Sequence, residues 1–393
     1  MTRFSDAHNP LLCNTIQRGA VHDRARDKPL MDVAIFGAGI AGLMSAISLR
    51  AHGHRCHIYE RTNREHETGM GFILVPEGLE LLRKFGVDVA GVPLHRYLCR
   101  SESGEILHEY AMPAGARSVR RADLVGAAMS ALSLGETSSG ETLSFEEELD
   151  HLEFDAGQRV VAALLKSGVR VKADLYVAAD GSRSRARQAL FPGWDARAAQ
   201  VTEIVGLIRS DEAVQWAGQN FNKFHANGGG LALGIVPVTS QHVVWYMQFD
   251  IRRFPPPQDN ADARKGFAGK LVGGWAYPIS MLLDLTDFAG VHLWNPVDTD
   301  VVPSFHQGNL VLVGDAAHPL SPFTSQGVSS AIADAVALAR FVDCPGTGLD
   351  EALAAYSAER HAQCQLYLAK GRELASDFLD PEGASSVLLP IAQ

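Results

Sequence analysis

Cysteine is sparse and unpaired in this sequence. Five are scattered through 393 residues, at Cys13, Cys56, Cys99, Cys344 and Cys364, with an odd count and no CxxC spacing. That pattern excludes a disulfide framework and a thiolate zinc site, so no metal is expected, and it suits reduced thiols in the cytoplasm. Basic clusters are also lacking: 35 Lys and Arg stand against 45 Asp and Glu, a net charge of −10. The resulting field repels phosphate backbones and anionic lipid, which removes nucleic acid from the expected partners. No apolar run approaches the roughly 18–20 residues that cross a bilayer, so no integral membrane segment is expected. Residues 1–30 lack the apolar stretch of a secretory signal and read as a flexible, dispensable tail, with translation expected to begin at Met31. The sequence leaves the oligomeric state open.

At 393 residues the chain exceeds the roughly 250–300 at which a single core stops growing, so two intergrown domains are expected. After Met31, the run VAIF is a short β-rich strand, GAGIAG turns the chain, and LMSAISLRAHG reads as a helix with a glycine stop. HRCHIYE follows as a second strand ending in an acid, which completes a βαβ unit. Leucine spacing predicts a helix over residues 76–86, and residues 92–110 read as two strands around the turn ESGE. RADLVGAAMSALS reads as a helix, and the alternating stretch from Glu146 to Gly181 as a meander feeding a buried strand. GLALGIVPV and HVVWYMQFD predict a second, mixed sheet, closed by the Pro-rich loop RRFPPPQDNADA and a helix around Phe267 to Leu271. NLVLVGDAAH is a buried strand and loop, GVSSAIADAVALARFV a helix, and Asp350 to about Phe378 a long final helix.

Gly37-Ala38-Gly39-Ile40-Ala41-Gly42 lies between a predicted strand and a predicted helix, the context that makes this spacing a dinucleotide fingerprint. Gly37 permits the tight turn, Gly39 lets the backbone approach a pyrophosphate, and Gly42 allows close packing of helix on strand. The amides of Ile40 and Ala41 open the helix whose dipole favours the anion. Glu60, about 20 residues on, is placed for the adenosine ribose hydroxyls, with Arg61 beside it. Two further turns follow strands downstream: Val177-Ala178-Ala179-Asp180-Gly181-Ser182-Arg183 and Val313-Gly314-Asp315-Ala316-Ala317-His318-Pro319. Asp-Gly and Gly-Asp are common turns by themselves; the set of three in this order is what is specific.

Together the three motifs resemble the class A flavoprotein monooxygenases, the para-hydroxybenzoate hydroxylase-like family, from Met31 to about Tyr367. The resemblance implies an α/β fold: a Rossmann-like FAD-binding domain (31–75, 111–190 and 296–345), an inserted mixed-sheet substrate domain (76–110 and 191–295) and a C-terminal helical segment (346–393). It implies FAD as cofactor and NADPH or NADH as hydride donor. Dioxygen would then form a flavin hydroperoxide that hydroxylates or epoxidises a small aromatic or apolar substrate. Residue by residue, Asp315 and Gly314 would meet the ribityl chain, and the turn from Pro319 to Gly327, Pro322 included, would lie along the isoalloxazine. The amides of Gly327 and Val328 would face negative charge on the reduced ring. Asp180 and Gly181 would serve the pyrophosphate side and the nicotinamide approach, and Arg121 would contact the cofactor.

The chain departs from that family in its flavin loop, where Ser325 and Ser329 replace the usual glycine and asparagine, and Ala178 stands where glycine is frequent. Serine adopts positive φ less cheaply than glycine. Trp275 in GGWAYP touches on the tryptophan-rich segments of flavin-dependent halogenases, but the second aromatic is misplaced, and Trp275 is expected to pack the substrate lobe; Lys84 is assigned no role. The substrate pocket is expected among Phe224, His225, Leu233, Val236, Trp245, Tyr246, Pro322 and Phe323, of which alternation allows only half to face the ligand. His225 and Tyr246 are the candidate general bases. Two rival readings are a flavin-dependent reductase or dehydrogenase on the same scaffold, and a binding protein that holds FAD or a ligand without turnover.

Overall fold

Val33 to Phe36 are four consecutive buried residues, and Leu175–Ala178 and Leu310–Leu312 are equally apolar and equally buried. Such runs need cover on both faces, which only the interior of a parallel sheet between helices supplies. The computed structural model, which describes residues 29–63, 70–134, 143–194 and 197–381, places them side by side. The six-stranded sheet runs His306–Gln307, Leu310–Leu312, Leu175–Ala178, Asp32–Phe36, Arg55–Glu60, Leu143–Phe145. All neighbours are parallel except the edge hairpin His306–Gln307. Parallel pairing sends every strand out at the same edge, so the three motif turns and Glu60 emerge together, where open α/β sheets bind ligands. The tail expected over residues 1–30 lies outside the described residues apart from its last two.

The helix Ile40–Ala51 buries Leu43, Met44, Ile47 and Leu49 against this sheet. The helix Gly327–Val342 packs on it from the same core. The helix Pro76–Lys84 also belongs to this first core through Leu79 and Leu82, followed by Val87 and Val89. On either side of this helix, Ile73, Val75 and Leu94 pack instead with Tyr97, Phe221 and Val236 of the second lobe, so the segment expected to open the substrate domain at residue 76 is shared between the two cores.

The second lobe is a seven-stranded mixed sheet in the order His292–Trp294, Val201–Arg209, His242–Asp250, Leu231–Pro237, Asn220–His225, Arg96–Ser101, Ile106–Ala111. One face carries Ile204, Phe224, Leu233, Trp245, Met247 and Phe249 against the helices Ala261–Val272 and Ile279–Leu285. The other face looks back toward the first lobe. The final helix, Leu349–Leu379, spans both: Leu353, Tyr356 and Cys364 enter the first core, while Leu374 and Phe378 close on Phe323, Val201 and Ala232. Among the described residues no helix is long and apolar enough to cross a membrane.

Candidate active site

Two cavities, each of about 520 Å³, adjoin at the C-terminal edge of the parallel sheet. Gly39, Arg121, Ala179 and Gly181 line both, so the two form one elongated space. At the first turn Gly37 sits at φ +106°, and a Cβ there would lie 2.3 Å from the Ala179 carbonyl oxygen. A Cβ on Gly42 would lie 1.9 Å from the Gly37 oxygen, whereas one on Gly39 would meet nothing within 4 Å. Two of the glycines are thus demanded by the fold itself, and Gly39 by whatever fills the space before it. The helix it begins has no side-chain cap, so its first N–H groups stay available to an anion.

Glu60 lines the outer cavity with Arg61. Its Oε2 accepts from the Ala38 N–H at 2.6 Å, and its Oε1 from the N–H and hydroxyl of Thr62 at 2.9 and 2.8 Å. This ties the end of the second strand to the glycine turn, and Oε2 retains a lone pair for a further donor. Asp180 is divided in role. Its Oδ2 accepts from the N–H of Arg185 at 2.8 Å and of Ala186 at 3.3 Å, while Oδ1 is buried with no hydrogen-bond partner. Burial raises its pKa. A buried acceptor left open is costly unless a ligand hydroxyl completes it.

The third turn is held from behind. Asp334, fully buried, accepts from the Gly314 N–H at 2.8 Å, from His318 Nε2 at 2.5 Å and from Arg360 Nε at 2.6 Å. His318, Asp334 and Cys364 bring their donor atoms within 4.8 Å of one another, but the carboxylate is already paired with His318 and Arg360, whose positive charge disfavours a metal ion there. Burial opposes charge on both partners, yet His318 is raised well above its ordinary range by Asp334, and Asp334 is lowered by His318 and Arg360. Asp315 then faces the inner cavity. Burial raises its carboxyl, with His318, Arg121 and Arg187 pulling it back.

Arg187, which the sequence reading passed over, joins the second turn to the third. The residue is 1 % exposed, and its guanidinium donates to the carbonyls of Asp315 at 3.0 Å, Ala316 at 2.9 Å and Ser182. No spacing rule marks it within RSRARQ. Beyond the third turn, Ser325 does take the left-handed conformation, at φ +52°. Ser329 is buried with its Oγ unpartnered, against Gly78. The helix from Gly327 again lacks a side-chain cap, and Gly327 and Val328 line the inner cavity beside Pro322 and Phe323. Gly42 and Gly314 are supports behind the wall; the other expected cofactor residues line one cavity or the other.

The sheet wall of the inner cavity sorts the expected pocket by alternation. Val236 and Tyr246 line it. Phe224, Leu233 and Trp245 point to the opposite face, into the core under the helices, because each sits an odd number of residues from its strand's cavity-facing positions. Trp275 packs against that same far core. His225 does not line the cavity. It lies 3.4 Å from the Tyr97 hydroxyl, and burial together with Lys223 pushes it down to about 3, leaving it a weak base. Tyr246 is raised well above its ordinary value by burial and so keeps its proton; it can donate a hydrogen bond but is no base near neutrality.

Three polar residues that the sequence reading missed stand on this wall. Lys223 Nζ donates to Gln248 Oε1 at 2.6 Å, and Gln248 Nε2 donates to Glu203 Oε1 at 2.5 Å. All three are buried and line the cavity. Lys223 reaches Gln248 across the intervening strand where that strand carries only Ala232 and Gly234. Burial draws the ammonium down to about 8 and pushes the carboxyl up to about 7. Glu203 and Gln248 each interrupt a largely apolar strand, which was the available signal, whereas Lys223 sits among the polar residues of NFNKFH and carried none.

These features fit FAD: an uncluttered glycine turn, two uncapped helix starts and an open buried carboxylate oxygen along one channel. The sequence matches the family described as FAD binding domain over residues 30–370. It is 28 % identical over 341 residues to the aurachin C monooxygenase/isomerase of Stigmatella aurantiaca, covering 84 % of this chain and 85 % of that protein. It is likewise 28 % identical over 377 residues to a 3-amino-4-hydroxybenzoate 2-monooxygenase of Streptomyces platensis, covering 89 % of each. The structure resembles Klebsiella pneumoniae HpxO complexed with FAD and uric acid, with a TM-score of 0.77, 24 % identity and 88 % of each chain covered; at that identity the likeness is one of fold.

Proposed function

The chain belongs to the FAD-binding-domain family of class A flavoprotein monooxygenases, and on that footing we propose that it oxygenates a small aromatic substrate held against the Val236–Tyr246 wall, with NADPH or NADH as donor. FAD, when bound, supplies hydride acceptance and the activation of dioxygen. The chain supplies the rest. Glu60 and Arg61 would take the adenosine end, and the N–H groups at the start of the Ile40 helix the pyrophosphate. Asp180 and Asp315 would accept from hydroxyls along the cofactor, and the N–H groups of Gly327 and Val328 would favour negative charge at its far end. Arg121 would touch it where the two cavities meet. Pro322, Phe323, Val236 and Tyr246 exclude water from the reacting ring, which protects activated oxygen from wasteful release. The four described cysteines are free, which supports a reducing, cytoplasmic setting.

The observation that carries this reading is the continuity of one channel from Glu60 to the largely apolar cavity beside Phe323. The test is to purify the protein, record its flavin spectrum, and screen small aromatics for those that accelerate NAD(P)H oxidation, with oxygen uptake and hydrogen peroxide followed in parallel. Flavin-bound protein that couples oxygen uptake to an oxygenated product is the expected result. Protein that stays colourless with excess FAD, or bleaches and saturates its substrate without consuming oxygen, overturns the proposal.

A further inference from the structure

The seating of FAD proposed above gives no role to Lys223, Gln248 and Glu203, and their burial needs a reason. Lys223 is 4 % exposed and Glu203 5 %. An apolar replacement of a buried charge pair is often neutral or stabilising, so packing alone does not call for them. Nor do they form an ion pair: Gln248 spends its carbonyl on one and an N–H on the other, holding the charges apart. Each keeps bonding capacity unspent. The other N–H groups of Lys223 meet only ring faces, those of Phe323, Tyr246 and Phe378 at 5.4 to 5.8 Å. Glu203 Oε2 has no hydrogen-bond partner among the described residues, and it is absent from the sealed, unpaired atoms. Both side chains border the cavity. One wall therefore offers a donor-only cation and an acceptor-only anion, a fixed distance apart, in a site otherwise rich in apolar surface.

We propose that Lys223 anchors an anionic oxygen of the substrate and that Glu203 is the proton acceptor for an O–H or N–H on the same aromatic ring, with Gln248 as the spacer that sets their separation. The proton moves from the ring substituent to Glu203 Oε2, and the bonding pair stays on the ring heteroatom, which enriches the ring for attack by an electrophilic oxygen. No redox change occurs in this step. The assignment rests on reading the inner cavity as the substrate site. The preferred ligand then carries a carboxylate or oxyanion and a second, ionisable ring substituent, so a merely apolar ring is a poor one.

The ionisation of the two groups agrees with these roles: the carboxyl near 7 accepts a proton readily around neutrality, and the ammonium near 8 still carries charge there. Few other titratable groups face the pair. Cys99 lies on the neighbouring strand, raised by burial, and Tyr246 keeps its proton. His225 stays neutral, and His292 lines the wall from the edge strand beside Glu203. From the flavin-side loop and the final helix, Phe323 and Phe378 face Lys223, and neither titrates.

The test uses FAD-loaded parent, Glu203→Gln, Lys223→Met, Lys223→Arg and His292→Asn. Binding of 2-hydroxybenzoate, 4-hydroxybenzoate, 2-aminobenzoate and 6-hydroxynicotinate, each beside its methyl ester, is read from the perturbed flavin spectrum; kcat/KM for the best substrate is followed from pH 5.5 to 9.5. At least one acid should bind the parent ten-fold or more tightly than its ester. Lys223→Met should abolish that ratio and Lys223→Arg restore part of it. Glu203→Gln should lower kcat at least ten-fold with Kd little changed and remove the acid limb of the profile, which His292→Asn should retain. Where a single variant loses FAD, the paired Lys223→Met, Glu203→Gln protein, which buries no lone charge, replaces it and should lose both signatures. Esters binding as well as acids, no acid binding to protein that turns over some neutral ring, or an acid limb that survives Glu203→Gln overturns the assignment. Failure to bind FAD or to oxidise NAD(P)H with any ring compound instead overturns the functional reading beneath it.

Discussion

Gly39→Ala and Gly42→Ala each add one methyl group, three residues apart, and the structure predicts that they fail differently. At Gly42 the new carbon would lie 1.9 Å from the Gly37 oxygen and 3.3 Å from the Ala179 Cβ, so the helix must move by more than an ångström. Overpacking of that kind costs about 1–3 kcal/mol, against roughly 1 kcal/mol recovered from helix propensity. The net loss corresponds to a fall of a few degrees in Tm without FAD, at about 2–4 °C per kcal/mol. At Gly39 the backbone lies at φ −68°, ψ 178°, open to any residue, and the methyl meets nothing within 4 Å. Loss of a favoured N-cap glycine and the lower entropy of the unfolded alanine chain nearly cancel at about 1 kcal/mol each. The Tm without FAD should therefore stay within roughly 2 °C of the parent. The methyl would stand in the space proposed for the pyrophosphate, and the loss of one charge-assisted hydrogen bond, about 1.5–3 kcal/mol, should raise the Kd for FAD roughly 10- to 150-fold. Deflavinated proteins are melted by calorimetry and then titrated with FAD by isothermal calorimetry. Gly39→Ala protein that binds FAD like the parent would show that the turn is structural only, and one that melts as low as Gly42→Ala would refute the open space before it.

Arg187→Met leaves three carbonyls of the second and third turns without their shared donor; stability should fall by about 2–4 kcal/mol, and the flavin retained on purification, read as the 450 to 280 nm ratio, should fall with it. His318→Gln probes the buried network by pH. The histidine is raised by Asp334, so its stabilisation is full below its unfolded value of about 6.5 and is lost as pH climbs through the folded value. The Tm gap between parent and variant should then be widest near pH 6, on the order of 10 °C, and narrow toward pH 9; a gap that widens instead contradicts the ion pair. Ser325 holds left-handed backbone at φ +52°, a strain of about 1–2 kcal/mol. Ser325→Gly should leave the Tm equal or higher and Ser325→Val should lower it, whereas equal melting of all three would remove the strain.

Local order along the chain was legible because each signal lies within a few residues of itself. The glycine turn, the acid closing the second strand and the two later strand-end turns announced the cofactor path. Apolar runs such as VAIF and LVLV announced the parallel sheet. The first lobe's claim on Leu79 and Leu82 was less visible, because an amphipathic helix does not say which core will cover it. Phe224 and Trp245 look as suitable for a pocket as Val236 and Tyr246, since an apolar strand shows its period but not which face meets a helix and which a cavity.

By itself the sequence determined the strand-turn-helix units and the order of the three turns, because backbone chemistry at glycine, aspartate and β-branched runs acts over one to five residues. Only the tertiary structure decided which side chains share the inner cavity. Lys223, Gln248 and Glu203 sit on three strands and meet through sheet register, and Arg187 finds its carbonyl partners 128 and 129 residues away. Such meetings depend on how sheets stack and helices close over them, and a linear pattern carries no measure of that distance.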